Sequence, residues 1–190
     1  PQNDLTAAKH VLEMGVDGII FPMIKTAAEA NRMISSTLYP PLGSRGFGPM
    51  GAIDYGFKNS ADYQHESDRS LCRFIQIEHR TAIEHLEEIV QNSYIDGYIF
   101  GPNDLSGSYD MLGNVFSDRI TDTIQKTIQY LHQKGKYIGI ASGSYSEDVI
   151  RHWSKLGADM LTAGADFDFL RDGALKNRNL LEQIHINQLY

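Results

Sequence analysis

The sequence predicts an α/β protein built on a parallel sheet. Short apolar runs, each closed by Gly, Pro or a polar residue, read as buried strands. Longer segments between them carry apolar residues at helical spacing. The two kinds alternate along the chain, which is the pattern of βαβ units.

Asn3 or Asp4 caps a first helix to about residue 14, where Gly15 stops it. Gly18-Ile19-Ile20-Phe21 is a strand closed by Pro22, and Thr26 with Glu29 forms a capping box for a helix to about residue 37. Residues 39–64 form a loop rich in Gly, Pro and aromatics, too long for a neutral connector. It is a binding loop or lid, or it covers a barrel end or an oligomer interface. A strand through Phe74-Ile75-Gln76-Ile77 follows, then a helix over 81–91 with Ile83, Leu86, Ile89 and Val90 as its apolar face. Residues 96–100 are a strand, and a loop containing Gly113 leads to a helix over 117–134 capped by Gly135. A strand over 137–141, a helix over 146–156 with Trp153 in the core, and a strand over 158–163 complete the alternation. Asp166 caps a last helix to about residue 176, and the polar tail from Arg178 is a further helix or a docking arm.

Five candidate strands fit two architectures: a small doubly-wound domain, or most of a (β/α)₈ barrel lacking its first units. Such barrels take ~250 residues. This chain has 190 and opens on a helix with no strand before it.

Composition excludes several classes of function. A net charge of −7 without a basic stripe argues against nucleic-acid binding. Cys72 is the single cysteine, which excludes a disulfide framework and a cysteine zinc site and fits a cytoplasmic protein. No apolar run approaches the length of a membrane span.

Two carboxylates carry the functional signal. Glu78 and Asp104 each follow a predicted strand, with one helix between, so consecutive parallel strands bring both to the end of the sheet where ligands collect. A carboxylate pair with few other ligands suits Mg²⁺ or Mn²⁺. Gln76 shares a face with Glu78 by the two-residue period, which places it in the same mouth. The competing reading of Glu78 is a buried acid paired with Arg73 or Arg80. Gly101-Pro102-Asn103-Asp104-Leu105-Ser106 turns the chain sharply off its strand, exposing backbone N–H groups to a small anion, with Ser106 as a further donor. The competing reading there is a helix start capped by Asp104 or Ser106. The seven histidines are scattered, and none is assigned as a catalytic base. Gly-x-Gly-x-x-Gly, the phosphate-loop motif and the serine-hydrolase elbow are absent.

Taken together, Tyr39-Pro40-Pro41-Leu42-Gly43-Ser44-Arg45-Gly46, Gln76-Ile77-Glu78, Asp96-Gly97 and the 101–106 segment resemble the HpcH/HpaI aldolase family, in the family's order over nearly the whole chain. The resemblance implies a (β/α)₈ TIM barrel with the first strands missing from this chain. The barrel domain would cover residues 1–177, and a C-terminal tail or helix 178–190. It implies a class II, metal-dependent aldolase that cleaves 4-hydroxy-2-oxo acids to pyruvate and an aldehyde. Carried over by motif, Glu78 and Asp104 are the ligands of Mg²⁺ or Mn²⁺, with Co²⁺ as a further option. Gly101, Pro102 and Asn103 hold the pyruvate carboxylate through backbone N–H, Ala141 lies near the substrate, and Arg45 orders its loop. The family's Arg and His positions fall upstream of Pro1, and Asn103 stands where the family has a small residue. A homo-oligomer, hexamer or trimer, is implied. Two other readings stand beside this one: an acyl-CoA lyase of the wider superfamily, which needs a basic surface for CoA, and a non-catalytic barrel remnant that binds metal or a 2-oxo acid.

Overall fold

The computed structural model describes residues 3–187 apart from 145 and 163. Helix α1 (Leu5–Glu13) is capped by Asp4, whose carboxylate accepts from the Ala7 N–H at 2.7 Å, and leads through Gly15 into β1 (Gly18–Phe21). Helix α2 (Ala27–Ser35) starts on the expected capping box, both halves of which form. A 3₁₀ turn (Gly51–Gly56) and α3 (Ser60–Ser70) precede β2 (Cys72–Ile77). Next come α4 (Arg80–Glu84), α5 (Leu86–Ile89), β3 (Gly97–Phe100), α6 (Pro102–Ser108) and α7 (Asp118–Gln133). The chain closes with β4 (Tyr137–Ala141), α8 (Glu147–Ser154), β5 (Met160–Thr162) and α9 (Asp166–Asn187).

Strand order decides between the two architectures left open by the sequence. The five strands are parallel and lie in the order β1-β2-β3-β4-β5. A doubly-wound sheet must reverse its order at a switch point to place helices on both faces. Here every step goes to the next neighbour, so right-handed crossovers carry all the helices to one face. Side-chain burial agrees. Ile19, Phe21, Ile75, Ile77, Tyr98, Phe100, Ile138 and Ile140 alternate along the strands and join one core with α1, α2, α5, α7 and Trp153 of α8. The alternate positions, Ile20, Phe74, Gln76, Gly97, Gly139 and Met160, share the other face. That face is the inside of a (β/α)₈ barrel, seen here over five strands.

Several sequence expectations are corrected. Residues 60–64, expected to end the long loop, open α3 instead; the helix is polar apart from Ala61 and Tyr63 and lacks the apolar period that would reveal it, but Asn59 caps it by accepting from Ala61 and Asp62. The helix expected over 81–91 is two short helices meeting at His85, whose N–H donates to the Thr81 carbonyl and whose own carbonyl accepts from Glu88 and Ile89. The stretch after β3 is not all loop, because α6 starts at once with Pro102 in its first turn. Neither Asp104 nor Ser106 caps it. Gly101 holds that position, and the buried Ser106 hydroxyl donates to the Asn103 carbonyl at 2.7 Å rather than toward a ligand. The last helix, expected to end at about residue 176, runs from Asp166 to Asn187. Position 163, expected to end the fifth strand, lies outside the described residues. Among the described residues no helix is long and apolar enough to cross a membrane.

The 39–64 segment is no lid over the carboxylates. Its Arg45 lines a cavity with Asp17 and Leu71, which immediately precede β1 and β2, so the segment lies under the N-terminal ends of the strands. Arg45 orders it, as the resemblance implied. The guanidinium is buried, stacks on Tyr39 at 4.6 Å, and donates to the Tyr63 hydroxyl at 3.0 Å and to Glu13 at 3.4 Å. Gly43 lets the loop fold back on α2, because a Cβ there would overlap the Ser35 carbonyl and lie 2.6 Å from Leu38. Both contacts include backbone, which cannot swing away. Gly43→Ala is therefore expected to destabilise the protein by about 3 kcal/mol, measured by urea unfolding.

Candidate active site

The site sits where β1, β2 and β3 end. Past β1, Met23 adopts a left-handed conformation with φ of 53°, uncommon for a residue with a side chain. Its N–H points to β2's successor, Glu78, and donates to Oε1 at 2.6 Å. Glu78 Oε2 turns toward β3's successor, Gly101. A Cβ built on Gly101 would lie 2.6 Å from Glu78 Oε2 and 2.7 Å from Gln76 Nε2. A bare Cα at position 101 thus leaves room for a carboxylate and an amide to converge. Asp104, exposed in the first turn of α6, faces the same volume.

Glu78 is 3% exposed and makes none of the ion pairs found among the described residues. The arginine reading is therefore set aside. Arg73 faces the helix layer, where it donates to Thr37 Oγ1 at 2.6 Å and to the Leu71 carbonyl at 2.9 Å. Arg80 is exposed, and its backbone N–H donates to Ser108. Burial pushes the Glu78 carboxyl above its ordinary range. The Met23 N–H opposes this, while Asp104 raises it further through its charge and a side-chain hydrogen bond.

A cavity of about 300 Å³ opens from this point. Gln76, Gly101, Pro102, Asn103, Asp104 and Ala141 line it, so six of the seven expected site residues meet there, with Glu78 buried just beneath Gly101. The expected three-residue N–H cradle is narrower than its sequence suggested. The Gly101 N–H donates to the Ile77 carbonyl at 3.1 Å and Pro102 has none, which leaves Asn103. The sequence reading missed the far wall: Gly143, Thr162, Phe167 and Asp168. Gly143 and Asp168 sit just past β4 and β5, and the same strand-end rule that selected Glu78 and Asp104 would have found them.

No cluster of three or more His, Cys, Asp or Glu side chains with metal-binding geometry exists among the described residues. Two carboxylates fit a hard cation that keeps several waters, as Mg²⁺ and Mn²⁺ do, and do not fit structural zinc. The sign of the Glu78 shift yields a prediction. An acid whose pKa is raised by folding binds its proton more tightly in the native state, so stability falls as pH rises through the gap. In chelator-treated protein, Glu78→Gln should raise the melting temperature near neutral pH and leave it nearly unchanged at about pH 4. Gly101→Ala, which pushes the Glu78 and Gln76 termini apart, should weaken Mn²⁺ binding about 10–100-fold in a calorimetric titration.

Comparison with known proteins identifies the family and supports the fold. The HpcH/HpaI aldolase/citrate lyase family model matches residues 1–171. The chain is 33% identical over 172 residues to a 4-hydroxy-2-oxo-heptane-1,7-dioate aldolase of Klebsiella pneumoniae, covering 90% of this chain and 64% of that protein. It is 32% identical to the protein of that name from Salmonella paratyphi C, covering 90% and 65%. It thus spans just under two thirds of these relatives' length. Among solved structures, an HpcH/HpaI aldolase from Desulfitobacterium hafniense superposes with a TM-score of 0.83 at 25% identity, covering 96% of this chain and 70% of that one. A family member from Burkholderia cenocepacia gives 0.84 at 24% identity, covering 97% and 71%, and supports the fold alone. The chain belongs to the HpcH/HpaI aldolase/citrate lyase family.

Proposed function

We propose that this chain carries the metal-binding and pyruvate-binding half of a class II aldolase site, acting on 4-hydroxy-2-oxo acids. One observation carries the reading: Glu78 and Asp104 converge with the Gln76 amide over a glycine too crowded to bear a side chain. Glu78 and Asp104 would hold Mg²⁺ or Mn²⁺, with Co²⁺ as a further option. A divalent ion there supplies Lewis acidity to the 2-oxo and carboxylate oxygens of the substrate.

The protein's own groups do the rest. Met23 fixes one oxygen of Glu78 and leaves the other directed at the site. The Asn103 N–H faces the substrate carboxylate, and the Gln76 amide donates to an oxygen of the pyruvate unit. Cleavage breaks the C3–C4 bond. Its electron pair passes into the enolate, the C4 hydroxyl loses its proton as it becomes the aldehyde, and C3 is then protonated to give pyruvate. No histidine lines the cavity among its described residues, so the base for the C4 hydroxyl is a water or a group from elsewhere, in keeping with the family's upstream His. No Lys or Arg lines it either, which disfavours the phosphates of an acyl-CoA substrate. The exposed aromatics of the 39–64 segment, Phe47, Tyr55 and Phe57, are the surface on which we place self-association.

The test is pyruvate release from a 4-hydroxy-2-oxo acid with Mn²⁺ or with chelator. The aldolase reading expects release that needs the metal and falls at least about 100-fold in Glu78→Ala. A folded chain that binds Mn²⁺ yet releases no pyruvate would select the non-catalytic reading.

A further inference from the structure

We infer that the cavity under the N-terminal ends of β1 and β2 is a binding site for a small amino acid in its zwitterionic form. The cavity holds about 200 Å³ and lies between the end of α1, the loop that carries Arg45, and α3. It is separate from the mouth at Glu78 and Asp104, and the inference does not depend on the aldolase reading.

The floor of this cavity is cationic and under-satisfied. Arg45 lines it with a side chain that is 1% exposed. Of the guanidinium nitrogens, Nη2 serves the fold by donating to the Tyr63 hydroxyl and to Glu13. Nε is buried with no partner, and Nη1 makes none of the hydrogen bonds found among the described residues. A guanidinium carries five N–H donors, and burying them unmet is unfavourable. The Tyr63 hydroxyl accepts from Arg45, so its own O–H remains to be donated. A carboxylate beside Arg45 and Tyr63 satisfies both.

The rim carries the opposite charge. Asp17 and Glu66 line the same cavity and are exposed. Lys58 lines it too, but pairs with Asp54 at 3.0 Å. The hydroxyls of Ser67 and Ser70 donate to the carbonyls of Gln64 and Glu66, which leaves their oxygens free to accept. An ammonium group brought to this rim meets two carboxylates and two hydroxyl oxygens.

Floor and rim together decide the class of ligand. A simple carboxylate meets Arg45 below but like charge above. A metal ion or a simple amine meets the rim acids above but a guanidinium below. A molecule bearing a carboxylate and an ammonium on one small skeleton is complementary to both. Leu12 and Leu71 supply apolar wall for a short side chain.

The test uses the full chain after chelator treatment, so that no metal at Glu78 captures the amino acid. L-Alanine is compared with propionate and ethylamine, the same skeleton without its ammonium or without its carboxylate, at constant ionic strength. Binding is read by calorimetric titration and located by amide hydrogen exchange. We expect alanine to bind at least about tenfold more tightly than either analogue, and to slow exchange over residues 45–71 rather than around Glu78. In the double variant Asp17→Asn, Glu66→Gln, whose substituted side chains are exposed, the advantage over propionate should shrink to about twofold while that over ethylamine persists. Equal binding of alanine and propionate overturns the inference, as does an unchanged ratio in the double variant or protection centred on Glu78. Absence of binding at about 10 mM alanine also overturns it and leaves the cavity to water.

Discussion

The hydrogen bond from the Met23 N–H to Glu78 is the interaction on which the site depends. It joins the ends of β1 and β2, and it requires Met23 to hold a positive φ that costs about 1 kcal/mol or more for a residue with a side chain. What it secures is orientation. A buried glutamate is otherwise free to turn either oxygen anywhere, and here one is fixed so that the other lies over Gly101. Crowding at Gly101 then aligns Gln76 with Glu78, so three consecutive strand ends specify one point in space. The carboxylates at that point repel each other, and burial penalises the charge of Glu78. Such an arrangement is unfavourable for folding alone, which is why it reads as a site and not as scaffold.

The strand order supplies the frame for this convergence. Because β1 to β5 are added one after another, every C-terminal end falls on the same rim, and neighbouring chemistry in space is neighbouring βα units in sequence. The 39–64 segment and Arg45 work at the opposite rim. Their contacts with Glu13, Tyr39 and Tyr63 hold the base of the first two strands and leave the mouth open. Stability and chemistry are thus assigned to opposite ends of the same strands, as barrels generally assign them.

This separation explains what the sequence revealed. The strands were readable because a buried parallel strand is a short apolar run, and Glu78 and Asp104 stood out because an acid directly after such a run has no reason to be there in a core. Helix α3 was hidden because its stability comes from the Asn59 cap and local polar contacts, which leave no apolar period. The role of Gly101 was hidden for another reason. A glycine in a turn is ordinarily read as backbone freedom, whereas this one has an ordinary negative φ and is required by the side chains that crowd it. The far wall was missed because Gly143, Thr162 and Asp168 look unremarkable singly. Only the register of β4 against β3 and β5 brings them opposite Asn103.

The cavity is divided along the same lines as the chain. One wall, Gln76, Gly101, Pro102, Asn103 and Asp104 over the buried Glu78, comes from the ends of β2 and β3 and is braced by β1 through Met23. The opposite wall, Ala141, Gly143, Thr162, Phe167 and Asp168, comes from the ends of β4 and β5 and the start of α9. A change at Gly143, Thr162 or Phe167 alters that wall and leaves Glu78, Gln76 and the Met23 bond in place. The β2–β3 wall rests on a buried carboxylate held by one hydrogen bond, whereas Gly143, Thr162 and Phe167 are exposed, so the mouth can vary most freely at the β4 and β5 ends without loosening the Glu78 side.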